Sequence, residues 1–246
     1  MPLPKVSQPI SELEIPSTKK IIKVRPMLGK EEKLLLMAKE SANDDDIMLS
    51  IKQVVNNCIL EPDFDVNKLT IFDLEFLFIR LRALSVNNII KVSYIDNEDA
   101  EKAGGDTKNA TYEFEIDLNK VNIKWPEKVN KRIVVNDQIN IQMKYPDATL
   151  YSNKEFLAAQ GRVIIDLLIQ NCVDKVFEGM TGYDFATSSP EEIQTFLESL
   201  PITAIEKMRE FLINLPTVYH EISYKNKQDH ERKVVLQTLN DFFTLR

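Results

Sequence analysis

The chain has 246 residues, of which 43% are hydrophobic and 28% charged, with a formal net charge of -7; this supports a packed core in one large domain or two small ones. With 6 glycines and 11 prolines, collagen-like and low-complexity classes are excluded, and no apolar run reaches the ~18–20 residues of a membrane helix. The negative charge argues against a dominant phosphate-binding surface, so neither nucleic acid nor a membrane is an expected partner.

Residues 1–18 are interrupted by proline and lack a signal-peptide core, and the alternation in Ser11-Glu-Leu-Glu-Ile15 predicts an extended arm, ordered by a neighbouring subunit. Ile21-Ile-Lys-Val-Arg-Pro26 continues extended, because a residue before proline is biased away from helix. Strong helix formers fill 30–40, and Asn43-Asp-Asp-Asp46 supplies caps for a second helix over 47–60. Those consecutive acids read as caps and dipole partners; a Ca²⁺ loop would need alternating ligands and a glycine.

The most apolar stretch, 67–85, is expected to be the helix around which the fold forms. Thr70 is the expected N-cap, with Asp73 the returning carboxylate of a capping-box variant. At about 100° per residue, Phe72, Phe76, Ile79 and Ala83 fall on one side and Leu74, Leu77, Phe78, Leu81 and Leu84 on the other. Burying each large side chain is worth roughly 1.5–3 kcal/mol. The polar seams carry Asp73 with Arg80 and Glu75 with Arg82, two turns apart and beyond i,i+4 pairing. The arginines are therefore expected to find partners elsewhere, at Glu31 and Glu32.

Strict alternation predicts strands at 88–96 and 111–118, joined by a long exposed loop over 97–110. A second hairpin, 131–135 with 138–145, turns at Asn136-Asp137. Residues 153–179 read as one long helix ended by Gly179. Ser188 or Ser189 caps the next helix, with Pro190 in its first turn, and Pro201 ends it. A helix over 202–215 feeds strands at 217–224 and 233–236. The fold class expected is α+β, a helical bundle with antiparallel hairpins. Its segments are an arm (1–28), a helical bundle with hairpins (29–150) and C-terminal helices with a hairpin (151–246). Two helix-to-hairpin passages raise the reading of a weak internal duplication, although the halves share little sequence.

Chemical motifs are sparse. Cys58 and Cys172 sit in apolar patterns as buried thiols, and His220-Glu221 lacks the second histidine of a zinc protease. His230 lies in a charged loop. Gly179-Met-Thr-Gly182 has GXXG spacing without basic flanks, and a helix end accounts for both glycines. Catalytic, metal and cofactor sites are all expected to be absent.

The run Val24-Arg-Pro-Met-Leu-Gly-Lys-Glu-Glu-Lys-Leu-Leu-Leu-Met-Ala-Lys-Glu-Ser41, followed by Cys58 and by 69–85, resembles the baseplate family of T4-like tailed bacteriophages. The matching positions are Arg25, Pro26, Lys30, Glu31, Glu32, Lys33, Asp73, Glu75, Leu77, Phe78, Leu81, Arg82 and Ser85, with Phe76 where tyrosine is common. Weaker likeness runs through Tyr145-Pro146 to Asp241-Phe-Phe243. The resemblance implies a structural or assembly component of the central baseplate hub of a contractile-tailed phage, a myovirus. It would act by protein–protein contacts with other hub or tail proteins, assembled in the host cytoplasm and carried in the virion tail. A transient hub-assembly chaperone absent from the virion, or a generic intracellular binding module, are the alternatives. The Cys-x-x-Cys pairs that the resemblance implies near such hairpin tips are missing here, which removes the ligands of a structural zinc.

Overall fold

The computed structural model describes residues 6–41 and 44–243. The chain forms two compact units interleaved in sequence: unit 1 comprises Met1–Val66, Phe72–Lys124 and Thr217–Arg246, and unit 2 comprises Asn67–Ile71 and Trp125–Pro216. These units do not follow the three consecutive segments expected from sequence.

Unit 1 begins with β1 (Ser11–Glu14) and β2 (Ile21–Val24), paired antiparallel from Ser11↔Val24 to Glu14↔Ile21. Period-two alternation buries Ile22 and Val24 completely. Ile15 is 4% exposed, and the Ser17 N–H and hydroxyl both donate to the Asp73 carboxylate, at 2.9 and 2.5 Å. From Ser11 onward the expected arm is therefore part of the unit 1 core; residues 1–5 lie outside the described residues.

Helices α1 (Gly29–Ser41) and α2 (Asp44–Cys58) pack together. The cap expected at Asn43 lies outside the described residues, while Asp45 and Asp46 stand in the first turn of α2, where carboxylates suit the dipole. The α2 stripe Ile47, Ile51, Val54, Val55 and Cys58 is buried.

Helix α3 (Ile71–Ser85) buries Phe72, Asp73, Leu74, Leu77, Phe78, Ile79 and Leu81, as expected of a helix apolar on nearly all sides. Asp73, expected on a polar seam, is fully enclosed.

Strand β3 (Ile89–Ile95) leads through α4 (Asn97–Lys102) to β4 (Thr111–Asp117), in register from Ile89↔Asp117 to Ile95↔Thr111. The loop expected at 97–110 thus contains a helix. Asp96 caps it by accepting the Asp99 N–H, its first turn is acidic, and Lys102 pairs with Glu98 one turn back. Strand β5 (Asn122–Lys124) follows.

Unit 2 is a four-stranded antiparallel sheet with helices. It contains β6 (Arg132–Val134), β7 (Ile139–Met143), α5 (Lys154–Ala158), α6 (Arg162–Cys172), β8 (Val173–Glu178), β9 (Thr181–Asp184), α7 (Pro190–Ser199) and α8 (Ile202–Ile213), in sheet order β6-β7-β8-β9. Its core gathers Ile133, Ile141, Met143, Ile169, Cys172, Val173, Phe185, Ala204, Met208 and Phe211. The single helix expected over 153–179 is instead two helices and a strand. Gly161, at φ 58°, precedes α6; beyond Cys172 the β-formers Val173, Val176 and Phe177 pair with β7. Gly179, at φ 59°, turns the β8–β9 hairpin instead of ending a helix. Ser189 caps α7 in a full capping box with Glu192.

The chain then returns to unit 1 with β10 (Thr217–Lys225), β11 (Glu231–Leu236) and α9 (Leu239–Phe242), in sheet order β11-β10-β5. The two helix-to-hairpin passages differ in allegiance: α3 and its hairpin share unit 1, whereas α8 belongs to unit 2 and β10–β11 to unit 1.

Candidate functional site

The residues that carry the family resemblance converge on one junction in unit 1. Pro26 halts the extended run after β2, leaving Arg25 at its end beside the starts and ends of helices. The Arg25 Nη2 donates to Glu31 Oε1 at 3.0 Å and to the Asn57 carbonyl at 2.8 Å. Its Nη1 donates to Glu31 Oε2 at 3.3 Å and to the Pro26 carbonyl at 2.9 Å, and lies 3.8 Å from Cys58 Sγ. Glu31 Oε2 also accepts the Leu28 N–H at 2.8 Å, reaching back three residues to close the first turn of α1. The Arg25 N–H donates to the Cys58 carbonyl. Ser85, at the end of α3, accepts the Met27 N–H at 2.8 Å and donates to the Leu81 carbonyl. Strand β2, both ends of the α1–α2 pair and the end of α3 are thereby tied together.

Burial pushes the Glu31 carboxyl up, but the Arg25 hydrogen bonds and the Leu28 N–H outweigh it and hold the group below its ordinary range. The Glu31 hydrogen bond raises Arg25 in turn. Burial drives the Cys58 thiol up to about 11, and Cys172 up to about 12, so both are protonated at neutral pH and unsuited to nucleophilic or ligand roles.

Arg80 and Arg82, expected to pair with Glu31 and Glu32, do not do so. Glu31 belongs to Arg25, and Glu32 and Lys33 are exposed on α1. Arg80 donates to the Leu118 and Val121 carbonyls, both at 3.1 Å, with its guanidinium 4.8 Å above the Phe76 ring. Arg82 Nη1 is buried and makes no hydrogen bond among the described residues. The Arg25–Glu31 pair was not read from sequence; its signal is the carboxylate three residues after Leu28, just beyond the proline. Glu75 is half-buried, and burial, followed by repulsion from Asp241, pushes its carboxyl up to about 8. In unit 2, Tyr145 stacks on Phe211 at 5.9 Å under the Lys131 ammonium, and the Pro146 carbonyl accepts the Ile71 N–H.

A second polar cluster joins the β3–β4 and β10–β11 hairpin tips. Tyr224 donates to Asp96 at 2.6 Å, and Tyr112 to Asp99. The Lys227 N–H reaches Asp99 at 3.1 Å. Glu98 Oε2 meets His230 Nδ1 at 3.0 Å, Asn226 Nδ2 at 2.9 Å, and Arg232. Hydrogen bonds from His230 and Asn226 hold Glu98 at about 2, while Asp99 pushes the Tyr112 hydroxyl up to about 12. Ionised carboxylates saturated by donors tie the tips together, at the place where the resemblance implies Cys-x-x-Cys pairs. His230, which the charged loop predicts to be satisfied or solvated and not a metal ligand, is a hydrogen-bonded member of this network.

A family model described as T4 bacteriophage base plate protein matches residues 8–244. The chain belongs to the T4 bacteriophage base plate protein family. No curated protein and no solved structure matches it. Membership in this base plate family implies a structural role in the phage base plate, contacts with other base plate or tail proteins, and a place in the virion tail. No helix among the described residues is long and apolar enough to cross a membrane. Both the Arg25 junction and the hairpin-tip network fall inside the matched span.

Proposed function

We propose that this base plate protein is a component of the central hub of a contractile tail, assembled in the host cytoplasm, and that it acts by protein–protein contact without catalysis. The observation that carries the reading is the family match across 8–244. Its support in the side chains is that the charged groups of the two clusters described above serve the fold. Arg25 and Glu31 close a helix junction, and Asp96, Glu98 and Asp99 fasten two hairpins. The expected partners are other hub or tail proteins, with no cofactor.

Cross-linking mass spectrometry on purified tails and on assembly intermediates tests this. The chain should be present in mature tails at fixed stoichiometry and cross-linked to hub subunits. Presence in intermediates with loss from mature tails would make it a hub-assembly chaperone; cross-links confined to the base plate periphery would overturn the hub assignment.

A further inference from the structure

Helix α1 carries two apolar stripes, one packed into its own fold and one largely exposed. The inner stripe, Glu31, Leu34, Leu35 and Ala38, has the i, i+3, i+4, i+7 spacing of one helix face. Glu31 and Ala38 on it are buried, and Leu34 and Leu35 half-buried. Shifting each position by two residues, about 200° round the helix, gives Lys33, Leu36, Met37 and Glu40, which are all exposed. Leu36 is 55% exposed and Met37 59%. Two large apolar side chains adjacent on an outward face thus remain more than half exposed, on a helix whose other face already packs.

The charges on this outer stripe define what fits it. Lys33 and Glu40 are equidistant from the midpoint between Leu36 and Met37 and opposite in sign. If a second α1 is laid antiparallel across that midpoint, Lys33 of each copy faces Glu40 of the other, and Leu36 of each faces Met37. A parallel arrangement would set lysine against lysine and glutamate against glutamate. The stripe is thus self-complementary under a two-fold axis, the condition for an isologous contact in which one patch serves both subunits. We propose that the outer stripe of α1 is a homodimerisation surface, pairing antiparallel with the same stripe of a second copy. A contact between two 13-residue helices is smaller than the ~1,200–2,000 Å² buried in stable complexes, so the association belongs in the micromolar range. That suits copies brought together during assembly more than an obligate dimer.

Sedimentation velocity on the full chain from about 1 to about 100 μM tests the proposal. The wild type should shift from monomer to dimer across this range. Lys33→Glu and Glu40→Lys should each weaken association by about tenfold by placing like charges opposite one another, and the double variant should recover most of the loss. Met37→Glu should abolish the dimer. All four positions are exposed, so thermal melts should match the wild type; if Met37→Glu melts early, the charge-swap series decides alone. A chain that stays monomeric at about 100 μM overturns the proposal. So does a dimer indifferent to these substitutions, or a double variant no better than the singles.

Discussion

Arg25 and Glu31 face each other through hydrogen bonds of 3.0 and 3.3 Å, with the carboxylate fully enclosed and the guanidinium side chain only 13% exposed. A buried pair of this kind adds little over an apolar pair of the same shape, since desolvation consumes the attraction. What it does is fix geometry: Arg25 also serves the Pro26 and Asn57 carbonyls, so β2, α1 and α2 meet in one register.

Removing one member leaves the other charged and enclosed. Arg25→Ala and Glu31→Ala should each destabilise the chain by ~3–5 kcal/mol, and the double variant should cost little more than either single. Arg25→Lys should fail to rescue, because one ammonium cannot span the same acceptors as a planar fork. Urea denaturation of the four variants checks this; additive single losses would show that the two residues do not act as a unit.

The elements legible in the sequence are those whose signals are local. Alternation placed β3 and β4, Asn136-Asp137 placed the β6–β7 turn, and Ser188-Ser189 ahead of Pro190 placed the start of α7, with the structure selecting Ser189 as the cap. The stretch after Cys172 was misread because Val173–Glu178 continues an apolar pattern compatible with either period, and only its pairing with β7 decides it. Helix α4 was hidden inside a charged, glycine-containing segment, although Asp96 and Asp99 carried its cap. The partners of Arg25 and Arg80 were not readable, since a guanidinium's choice among carbonyls and carboxylates depends on which chain segments tertiary packing brings together. The tip network spans about half the chain, from Asp96 to Tyr224, and no local pattern announces it.

Tyr224→Phe removes the hydroxyl on Asp96 while keeping the ring against Tyr112 and Phe114, at 4.8 and 5.3 Å between centroids. The loss should be ~1.5–3 kcal/mol, as for a hydrogen bond to a charged group. Amide hydrogen exchange should quicken at both hairpin tips. Faster exchange in β10–β11 alone would mean that the network does not couple them.

At the β8–β9 turn, Gly179 holds φ 59°, a conformation costing an L-residue with a Cβ about 1–2 kcal/mol. Gly179→Ala should lower the melting temperature, and Gly179→Asn should lower it less, because asparagine tolerates the left-handed region. At Gly182 a Cβ would lie 3.1 Å from the Phe177 ring, so Gly182→Ala should disturb that ring and shift its aromatic proton resonances. Equal melting of Gly179→Ala and wild type would show that the turn relaxes without strain.

Glu75 sets a pH dependence of opposite sense to Glu31. Burial and then the Asp241 carboxylate raise Glu75 from an ordinary 4.5 to about 8, so between those values the folded chain binds a proton that the unfolded chain has released. Its contribution is full below about pH 4.5 and declines as pH rises toward about 8, at most about 1.4 kcal/mol per pH unit. Glu31 is held below its ordinary value, so its contribution is present above about pH 4.5 and lost on acidification. The two groups thus act in opposite senses, Glu31 losing its contribution on acidification and Glu75 on alkalinisation. Glu75→Gln keeps the shape without the titration; it should abolish the decline between about pH 5 and 8 and leave the acid limb in place. Asp241→Asn is a poorer probe, because Asp241 also accepts the Gln237 and Thr238 N–H groups that begin α9. Urea melts of wild type and Glu75→Gln across this range decide it: parallel curves would mean that Glu75 is already ionised in the folded chain at neutral pH.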